Sequence, residues 1–153
     1  MYYPYTAFIW NAVSATEGAA AQTLMTAFRE AHPLSIGRPL GPGGIAYDQP
    51  GLSDVLRTYP LRDDIGVVYG RLFSRDGMAA LSPDELTSDL IFAHACVDSN
   101  GRHLTLNHWG CYVAILRKPS SGQWMVLRDC SGMIPCYYAQ FRCVTVIFSD
   151  VRT

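Results

Sequence analysis

The sequence predicts a single α+β domain spanning residues 1–153, built from clustered strands and two helices. A chain of 153 residues falls within the size range of one ordinary domain. Apolar residues make up 49% of the chain and charged residues 16%, a composition typical of a compact globular protein. The predicted order is strand, helix, loop, strand, helix and then four strands, which favours layered α+β packing over alternating βαβ units.

The first strand and the first helix are predicted from composition and from a helix-start signal. Residues 5–10 are aromatic and β-branched, which is typical of a strand. Ser14 and Glu17 have the spacing of a capping box, so an alanine-rich helix is expected to follow and to end near residue 31. The apolar positions expected on one face of this helix are Ala20, Leu24, Phe28 and Ala31.

A glycine- and proline-rich segment, residues 38–51, separates this helix from the next strand. Its composition predicts a loop around at most a short strand at residues 45–47. A phosphate-binding glycine loop is not expected, because the Lys-Ser/Thr ending and the following helix are missing. Residues 65–73 are apolar and β-branched and predict a strand.

The second helix is predicted to begin at another capping box, formed by Ser82 and Glu85, with Pro83 at the first helical position. The turn-rich residues 98–101 predict its end. The apolar face expected for this helix comprises Leu86, Leu90, Ala93 and Val97.

The last third of the chain is predicted to consist of short strands. Residues 111–116 are apolar at every position, so this strand is expected to be covered on both sides. Residues 124–127 return as its hairpin partner. Residues 134–138 and 144–148 are predicted to form a second hairpin-like pair.

Charge and cysteine usage exclude several classes of protein. Twelve basic and thirteen acidic residues nearly cancel and no basic run occurs, so no nucleic-acid partner is expected. The longest apolar stretches are strand-sized, far short of the ~20 residues of a membrane-spanning helix, so no membrane association is expected. The five cysteines form an odd set without a C-x-x-C pair, and the start lacks a secretory signal. Both observations predict reduced thiols and a cytoplasmic location.

Three segments of the last third carry a family resemblance. Residues 109–115 (WGCYVAI) resemble the core-strand pattern G-x-[FY]-[AV]-[FV], and residues 144–150 (VTVIFSD) resemble x-x-F-A-S-[ED]. Residues 127–138 match x-R-D-x-x-G-x-x-P-L-Y-Y, apart from Cys136 in place of leucine. The matching residues of this string are Arg128, Asp129, Gly132, Pro135, Tyr137 and Tyr138. The chain therefore resembles the class II glutamine amidotransferase domain of asparagine synthetases.

This resemblance implies a fold and a set of partners. The implied fold is the αββα sandwich of amino-terminal-nucleophile (Ntn) hydrolases, here in a trimmed form. The P-C-Y-Y combination and the closing S-D-V are most similar to the asparagine-synthetase homologues of bacterial lasso-peptide gene clusters, the macrocyclases that close an isopeptide ring. The implied partners are an ATP-dependent synthetase domain, in cis or in trans, and a precursor peptide, with a homo-oligomer as a further option.

The synthetase half of such proteins binds ATP through an S-G-G-x-D type loop, and that loop is missing here. No cofactor is therefore expected in this chain, and ATP and Mg are expected only in the absent synthetase domain. The chain is accordingly interpreted as the amino-terminal part of a longer protein or as a split gene product.

The residues that the family uses to hydrolyse glutamine are replaced in this sequence. The family nucleophile is a cysteine at position 2, where this chain has Tyr2, and no thiol precedes Cys96. The family's N-G-E reads Tyr69-Gly70-Arg71, and losing the asparagine donor of the oxyanion site typically costs ~10²–10³ in rate. No catalytic residue is therefore expected. The resemblance leaves as substrate-binding positions Tyr69, Gly70, Arg71 and Asp89, although Asp89 alone is more simply a solvated helix residue.

Metal binding is not predicted from the histidines and cysteines. His94 and Cys96 are two residues apart on a helix, so they should point to different faces. His103, His108 and Cys111 would supply at most three ligands of a zinc site.

The motif residues also have structural interpretations. Arg128 and Asp129 are expected to form an ion pair or a turn rather than an acid–base dyad. Tyr137 and Tyr138 are expected to place one ring inward and one outward, because successive strand residues alternate between faces.

Three functions remain open at this stage. The first is a catalytically degenerate domain that acts as a structural, interaction or substrate-positioning module for an ATP-dependent amide-forming domain. The second is an active glutamine-hydrolysing amidotransferase domain with a non-standard nucleophile. The third is a free-standing domain that binds a small ligand.

Overall fold

The computed structural model describes residues 4–49 and 57–151, which form an α+β structure with two antiparallel sheets. The strands are β1 (Tyr5–Ile9), β2 (Ile36–Pro39), β3 (Gly44–Asp48), β4 (Arg57–Pro60), β5 (Gly66–Ser74), β6 (His108–Arg117), β7 (Trp124–Arg128), β8 (Tyr137–Phe141) and β9 (Val144–Phe148). The helices are α1 (Ala15–Ala31), α2 (Pro83–Thr87), α3 (Leu90–Asp98) and α4 (Arg102–Asn107), with a 3₁₀ turn at Arg62–Asp64. The predicted α+β class is confirmed.

Within these two ranges, every helix falls short of the length and apolar character that a membrane span requires.

The two sheets pack face to face, with helices on their outer faces. Sheet A has the strand order β2-β3-β1-β9-β8 and sheet B the order β4-β5-β6-β7. One buried cluster joins the inner faces of the sheets and includes Tyr5, Ala7, Ile9, Val67, Tyr69, Val113 and Ile147. On the outer face of sheet A, Phe8 packs with Phe28 of α1. On the outer face of sheet B, Leu72 belongs to the same cluster as Phe92 of α3. The layers are therefore α1, sheet A, sheet B and the remaining helices.

Helix α1 begins where the sequence predicts. The Ser14 hydroxyl accepts a hydrogen bond from the Glu17 backbone N–H at 3.3 Å. The Glu17 carboxylate accepts from the backbone N–H of Asn11 at 2.8 Å. The second hydrogen bond of the capping box is therefore made to a residue three positions before Ser14 and not to Ser14 itself. The first three positions of the predicted apolar face pack against sheet A, whereas Ala31 in the last turn is exposed.

The glycine-rich segment predicted as a loop forms a hairpin instead. Strands β2 and β3 pair across a turn in which Gly41 and Gly43 have φ values of 85° and 81°. Glycine adopts such positive φ values at no steric cost, so the residues that indicated a loop are those that make the hairpin turn. The predicted short strand, residues 45–47, lies within β3. Positions 50 and 51 of the predicted loop lie outside the described residues.

The single second helix predicted from the sequence is two helices. The capping box itself is confirmed, because the Ser82 hydroxyl accepts from the Glu85 N–H and the Glu85 carboxylate accepts from the Ser82 N–H. Helix α2 ends after five residues, and the Asp89 carboxylate then accepts from the Phe92 N–H at 2.9 Å as the cap of α3. Aspartate competes with helix continuation in this way, which explains why the predicted apolar residue Leu90 is 42% exposed.

The carboxy-terminal strands follow the predicted order, but β6 begins at His108, three residues before the predicted start, and β8 also has other bounds than predicted. Residues 112–116 are buried, as expected for a strand covered on both sides, and β9 has the predicted bounds. Strand β8 begins at Tyr137, so residues 134–136 belong to the preceding loop. The two tyrosines lie on opposite faces of β8, as expected, because Tyr137 pairs with Phe148 and Tyr138 pairs with Ile147 of the inner cluster, but Tyr137 is 47% and Tyr138 79% exposed. Both are exposed because β8 is the edge strand of sheet A.

Candidate functional site

The predicted site residue Tyr69 lies between the sheets, at the end where β1 begins. Its ring stacks on the ring of Tyr5, with centroids 4.6 Å apart and an interplanar angle of 12°. Tyr5 is 1% exposed and Tyr69 is fully buried. Cys136, in the loop before β8, packs against the same buried cluster and neighbours the Tyr5 phenol. We call Tyr5, Tyr69 and Cys136 the tyrosine cluster.

Both the side chain and the backbone of Tyr5 are fixed by hydrogen bonds. Its phenol donates to the Pro135 carbonyl at 3.0 Å. Its N–H donates to the Ser149 hydroxyl at 3.0 Å, and its carbonyl accepts from the Ser149 N–H at 3.1 Å. Burial, and next the proximity of Cys136, raises the pKa of the Tyr5 phenol well above its ordinary value. The phenol is therefore protonated at neutral pH and acts as a hydrogen-bond donor.

The motif residues that follow β7 form a turn tied to the neighbouring strand β6. One Asp129 carboxylate oxygen accepts from the Tyr112 N–H at 3.0 Å. The other oxygen accepts from the Ser131 N–H at 2.7 Å and from the Ser131 hydroxyl. The Asp129 N–H donates in return to the Tyr112 carbonyl at 3.0 Å. Burial, and next the Asp129 carboxylate, raises the pKa of the Tyr112 phenol to about 12.

Arg128 and Gly132 complete this turn. The Arg128 guanidinium donates to the Gly132 carbonyl. Gly132 has a φ of 60°, and a Cβ at this position would lie 2.9 Å from the guanidinium. The backbone conformation therefore favours glycine at this position, whereas the Arg128 side chain could move away from a Cβ. Of the two interpretations of Arg128 and Asp129, the turn describes their hydrogen bonds, and the two side chains form no ion pair with each other.

Replacing Asp129 with alanine is expected to lower the free energy of unfolding by about 2 kcal/mol, because the N–H groups of Tyr112 and Ser131 lose their acceptor. Asparagine at the same position retains one acceptor oxygen and should cost less. Urea denaturation of the three proteins measures the difference. Equal midpoints for the wild type and Asp129→Ala would show that the turn does not depend on this carboxylate.

Next to the tyrosine cluster, strand β5 presents an exposed aromatic surface. Tyr69, Arg71 and Phe73 alternate along the strand and so share one face. The Arg71 guanidinium lies 4.9 Å from the Phe73 ring centroid, and the Phe73 ring stacks on Trp109 with centroids 4.2 Å apart. Arg71 is exposed and Trp109 is 51% exposed. We call Arg71, Phe73 and Trp109 the aromatic platform. Gly70 lies between Tyr69 and Arg71 in the sequence and therefore faces the opposite side of β5.

The remaining predicted site residue, Asp89, lies apart from the tyrosine cluster. It is exposed at the start of α3, on the outer face of sheet B, whereas the Tyr69 ring lies between the sheets. Its carboxylate caps the helix through the Phe92 N–H. The structure thus brings Tyr69, Gly70 and Arg71 together on one strand and gives Asp89 a structural contact.

The thiols differ in burial and therefore in reactivity. Cys96, a residue of α3, is buried against sheet B. This burial raises the pKa of its thiol to about 12, which makes the thiol a poor nucleophile. Cys111 and Cys136 are half-buried, whereas Cys130 and Cys143 are exposed. Cys136 is thus the thiol that lies in the tyrosine cluster.

His94, His103 and His108 form two separate contacts. His94 lies 3.5 Å from the Asp63 carboxylate and is half-exposed. The rings of His103 and His108 lie 5.8 Å apart, and each packs edge-on against Phe92. Burial, and next the proximity of His103, lowers the pKa of His108, so its imidazole is neutral at neutral pH.

Sequence reasoning missed Tyr5, Phe73, Trp109 and Cys136 as members of this region. The alternation of Tyr69, Arg71 and Phe73 along a predicted strand was a usable signal for the platform. The Tyr5 contact had no sequence signal, because it depends on how the two sheets face each other. Comparisons of the chain with protein-family models, with curated proteins and with solved structures found no match.

Proposed function

We propose that this chain is a catalytically degenerate glutamine amidotransferase-like domain of an asparagine-synthetase-type protein that forms isopeptide bonds in lasso peptides. It acts as a structural, interaction or substrate-positioning module for an ATP-dependent amide-forming domain. The observation that carries this proposal is the buried stack of Tyr5 and Tyr69 at the end of the sheets where β1 begins.

The layer order supports the finer fold assignment. Helix α1, sheet A, sheet B and helices α2–α4 follow one another in the order of an αββα sandwich. The strongest motif of the resemblance forms the turn between β7 and the loop before β8, where its aspartate and glycine have specific structural roles. The αββα sandwich of Ntn hydrolases is the proposed parent fold on these two grounds.

The tyrosine cluster supports the loss of hydrolysis. A glutaminase site needs room for its substrate between a nucleophile and the donors of an oxyanion site. By the resemblance, Tyr69 replaces the family's asparagine, and the ring of Tyr5 packs on the ring of Tyr69 with centroids 4.6 Å apart. The two buried rings fill that position, and burial raises the pKa of the Tyr5 phenol, so Tyr5 supplies no ionised attacker.

Exposed apolar surface supports the interaction role. Strand β8 is an edge strand without a charged residue, and it exposes Tyr138 and Phe141. A groove of about 350 Å³ beside it is lined mainly by apolar residues of α1, β1 and β9, including Phe8 and Phe148. Uncharged edge strands and contiguous apolar patches are typical of surfaces that another chain covers. The proposed occupant is the ATP-dependent domain.

The purified chain is expected to release no ammonia from glutamine and to remain unlabelled by a glutamine-like diazo-ketone, because tyrosine stands at position 2 in place of the family's cysteine nucleophile. An ammonia assay and intact-mass spectrometry check both outcomes, with Cys136→Ser as the matched variant. Ammonia release or an adduct that disappears in Cys136→Ser would contradict the proposal. That result would support the active amidotransferase with a non-standard nucleophile.

A second experiment tests the interaction role directly. Tyr138→Glu should weaken co-purification with the ATP-dependent domain of the same protein or gene cluster, because it places a charge on the uncharged edge strand. Met78→Glu is the control, since Met78 is 93% exposed outside β8 and the groove. Equal recovery with both variants would exclude β8 as the contact. Size-exclusion chromatography with light scattering distinguishes a homo-oligomer formed through the same strand.

A further inference from the structure

A second pocket lies at the opposite end of the inter-sheet core from the tyrosine cluster. It has a volume of about 480 Å³ and opens between the end of β1, the β2–β3 turn and the adjoining ends of β6 and β7. The residues that line it include Trp10, Pro42, Arg117, Trp124, Cys143 and Thr145. Its size falls within the ~300–1,000 Å³ that is usual for small-molecule sites. We call it the Arg117 pocket.

Arg117 is the charged residue of this pocket, and its charge is not neutralised by any described carboxylate. The lining contains no Asp or Glu. Neither of the ion pairs among the described residues involves Arg117. The Arg117 Nε is buried and has no hydrogen-bond partner within residues 4–49 and 57–151. Because Arg117 lines the pocket without a carboxylate partner among the described residues, its guanidinium offers donors to a ligand that carries an acceptor.

The Trp124 ring forms an aromatic wall beside Arg117 and packs directly on a glycine. The guanidinium lies 6.0 Å from the centroid of the Trp124 ring. The Trp124 ring lies directly on Gly44, where any Cβ would overlap the indole. At Gly43 a Cβ would overlap the Trp10 carbonyl, and the φ of 81° independently requires glycine. The glycine-rich turn therefore lets the Trp124 ring and the Trp10 backbone approach it closely at the pocket, which gives this segment a role beyond reversing the chain.

We propose that the Arg117 pocket binds a carboxylate carried on an aromatic or apolar body, either a free acid or the carboxy-terminal residue of a peptide. A planar carboxylate matches the fork of donors of a guanidinium, and the Trp124 indole beside it can pack against the apolar body of the ligand. A single arginine with apolar walls matches one negative charge and would leave the second charge of a phosphate uncompensated. This inference does not depend on the proposed function, because the pocket and the tyrosine cluster lie at opposite ends of the sheets.

The direct test is calorimetric titration with N-acetylphenylalanine and with its uncharged amide. The acid should bind about tenfold or more tightly than the amide, because only the acid can pair with the guanidinium. A Gly-Gly-Phe peptide with a free carboxy terminus distinguishes the two sources: tighter binding than N-acetylphenylalanine indicates a peptide end, and weaker binding indicates a free acid. Equal affinity for acid and amide, or binding of sulfate alone, would overturn the proposal.

Variants locate the site. Arg117→Gln should reduce the affinity for N-acetylphenylalanine about tenfold or more, and Arg117→Lys should reduce it less, because lysine retains the charge but not the fork. Lys118→Gln is the matched control, since Lys118 is the next cation on the chain and does not line the pocket. Loss of binding in Lys118→Gln but not in Arg117→Gln would contradict the assignment.

A measurement on the unmodified chain avoids any failure of a variant to fold. Cys143 is exposed at the rim of the pocket, whereas the exposed Cys130 lies in the turn after β7 and does not line it. N-acetylphenylalanine should slow alkylation of Cys143 by iodoacetamide and leave Cys130 unchanged, as read by peptide mass spectrometry. Equal protection of the two thiols, or no protection of either, would rule out a ligand at this pocket.

Discussion

Replacing Gly70 with alanine is expected to abolish the cooperative folded state or to lower its stability by more than about 4 kcal/mol, at the upper end of single-residue effects. Gly70 has a φ of 139°, which side-chain-bearing residues rarely adopt. An added Cβ would overlap the Cys111 carbonyl oxygen and lie 2.7 Å from the Cα of Tyr112. Both obstacles are backbone atoms of the central strand β6, so neither moves without breaking the β5–β6 pairing. Circular dichroism during urea titration measures the loss.

Gly18→Ala is the control for this prediction. Gly18 lies within α1, and a Cβ there would meet no atom within 4 Å. Alanine should therefore stabilise the protein by roughly 0.5–1 kcal/mol, the usual difference between glycine and alanine in a helix. A Gly70→Ala protein with wild-type stability would mean that β5 and β6 do not approach as closely as the structure shows.

Local sequence signals predicted the elements whose start or burial depends on neighbours in the chain. The capping box at Ser82 and Glu85 depends on residues three apart, and both of its hydrogen bonds form. Strand β9 has its predicted bounds, and β6 was recognised as doubly covered because every residue of its core is apolar. These predictions hold because the same few residues determine the pattern and the structure.

The predictions are wrong where one residue type is compatible with two different local structures. Asp89 was assigned to the middle of a helix by the apolar spacing around it, but its carboxylate caps a new helix instead. Gly41 and Gly43 indicated a loop, yet their positive φ values make the turn of the β2–β3 hairpin. Composition alone does not distinguish a loop from a tight turn between strands, because glycine is favoured in both.

The tyrosine cluster could be predicted only in part. The resemblance aligns Tyr69 with the family's asparagine, and the alternation of faces along the predicted strand was an unused signal that Arg71 shares its face. Its partner Tyr5 is 64 positions away in the sequence and on the other sheet, so their contact depends on the registers of both sheets together. No local pattern carries that information.

Replacing Tyr69 with asparagine, the residue of the amidotransferase family at this position, is expected to cost about 3–5 kcal/mol of stability without producing glutaminase activity. Tyr69 is fully buried between the sheets, and its loss removes the stacking partner of Tyr5 and leaves a cavity lined by apolar side chains. The new amide would also be buried in an apolar cluster, which adds a desolvation cost. The unfolding free energy from urea titration and an ammonia assay measure the two parts.

Tyr69→Phe is the control that measures how much of the stability change in Tyr69→Asn comes from losing the ring. It keeps the stacked ring and removes only the hydroxyl, so its cost should be about 1 kcal/mol or less. If Tyr69→Asn were as stable as Tyr69→Phe, the inter-sheet end would have room for a ligand and the buried stack would not be what fills it. Ammonia release by Tyr69→Asn would go further, because it would mean that a single oxyanion donor was the missing element and that a working nucleophile is already present. The proposal of a degenerate domain requires both results to be negative, since the same ring that stabilises the two sheets occupies the position where hydrolysis would need an open site.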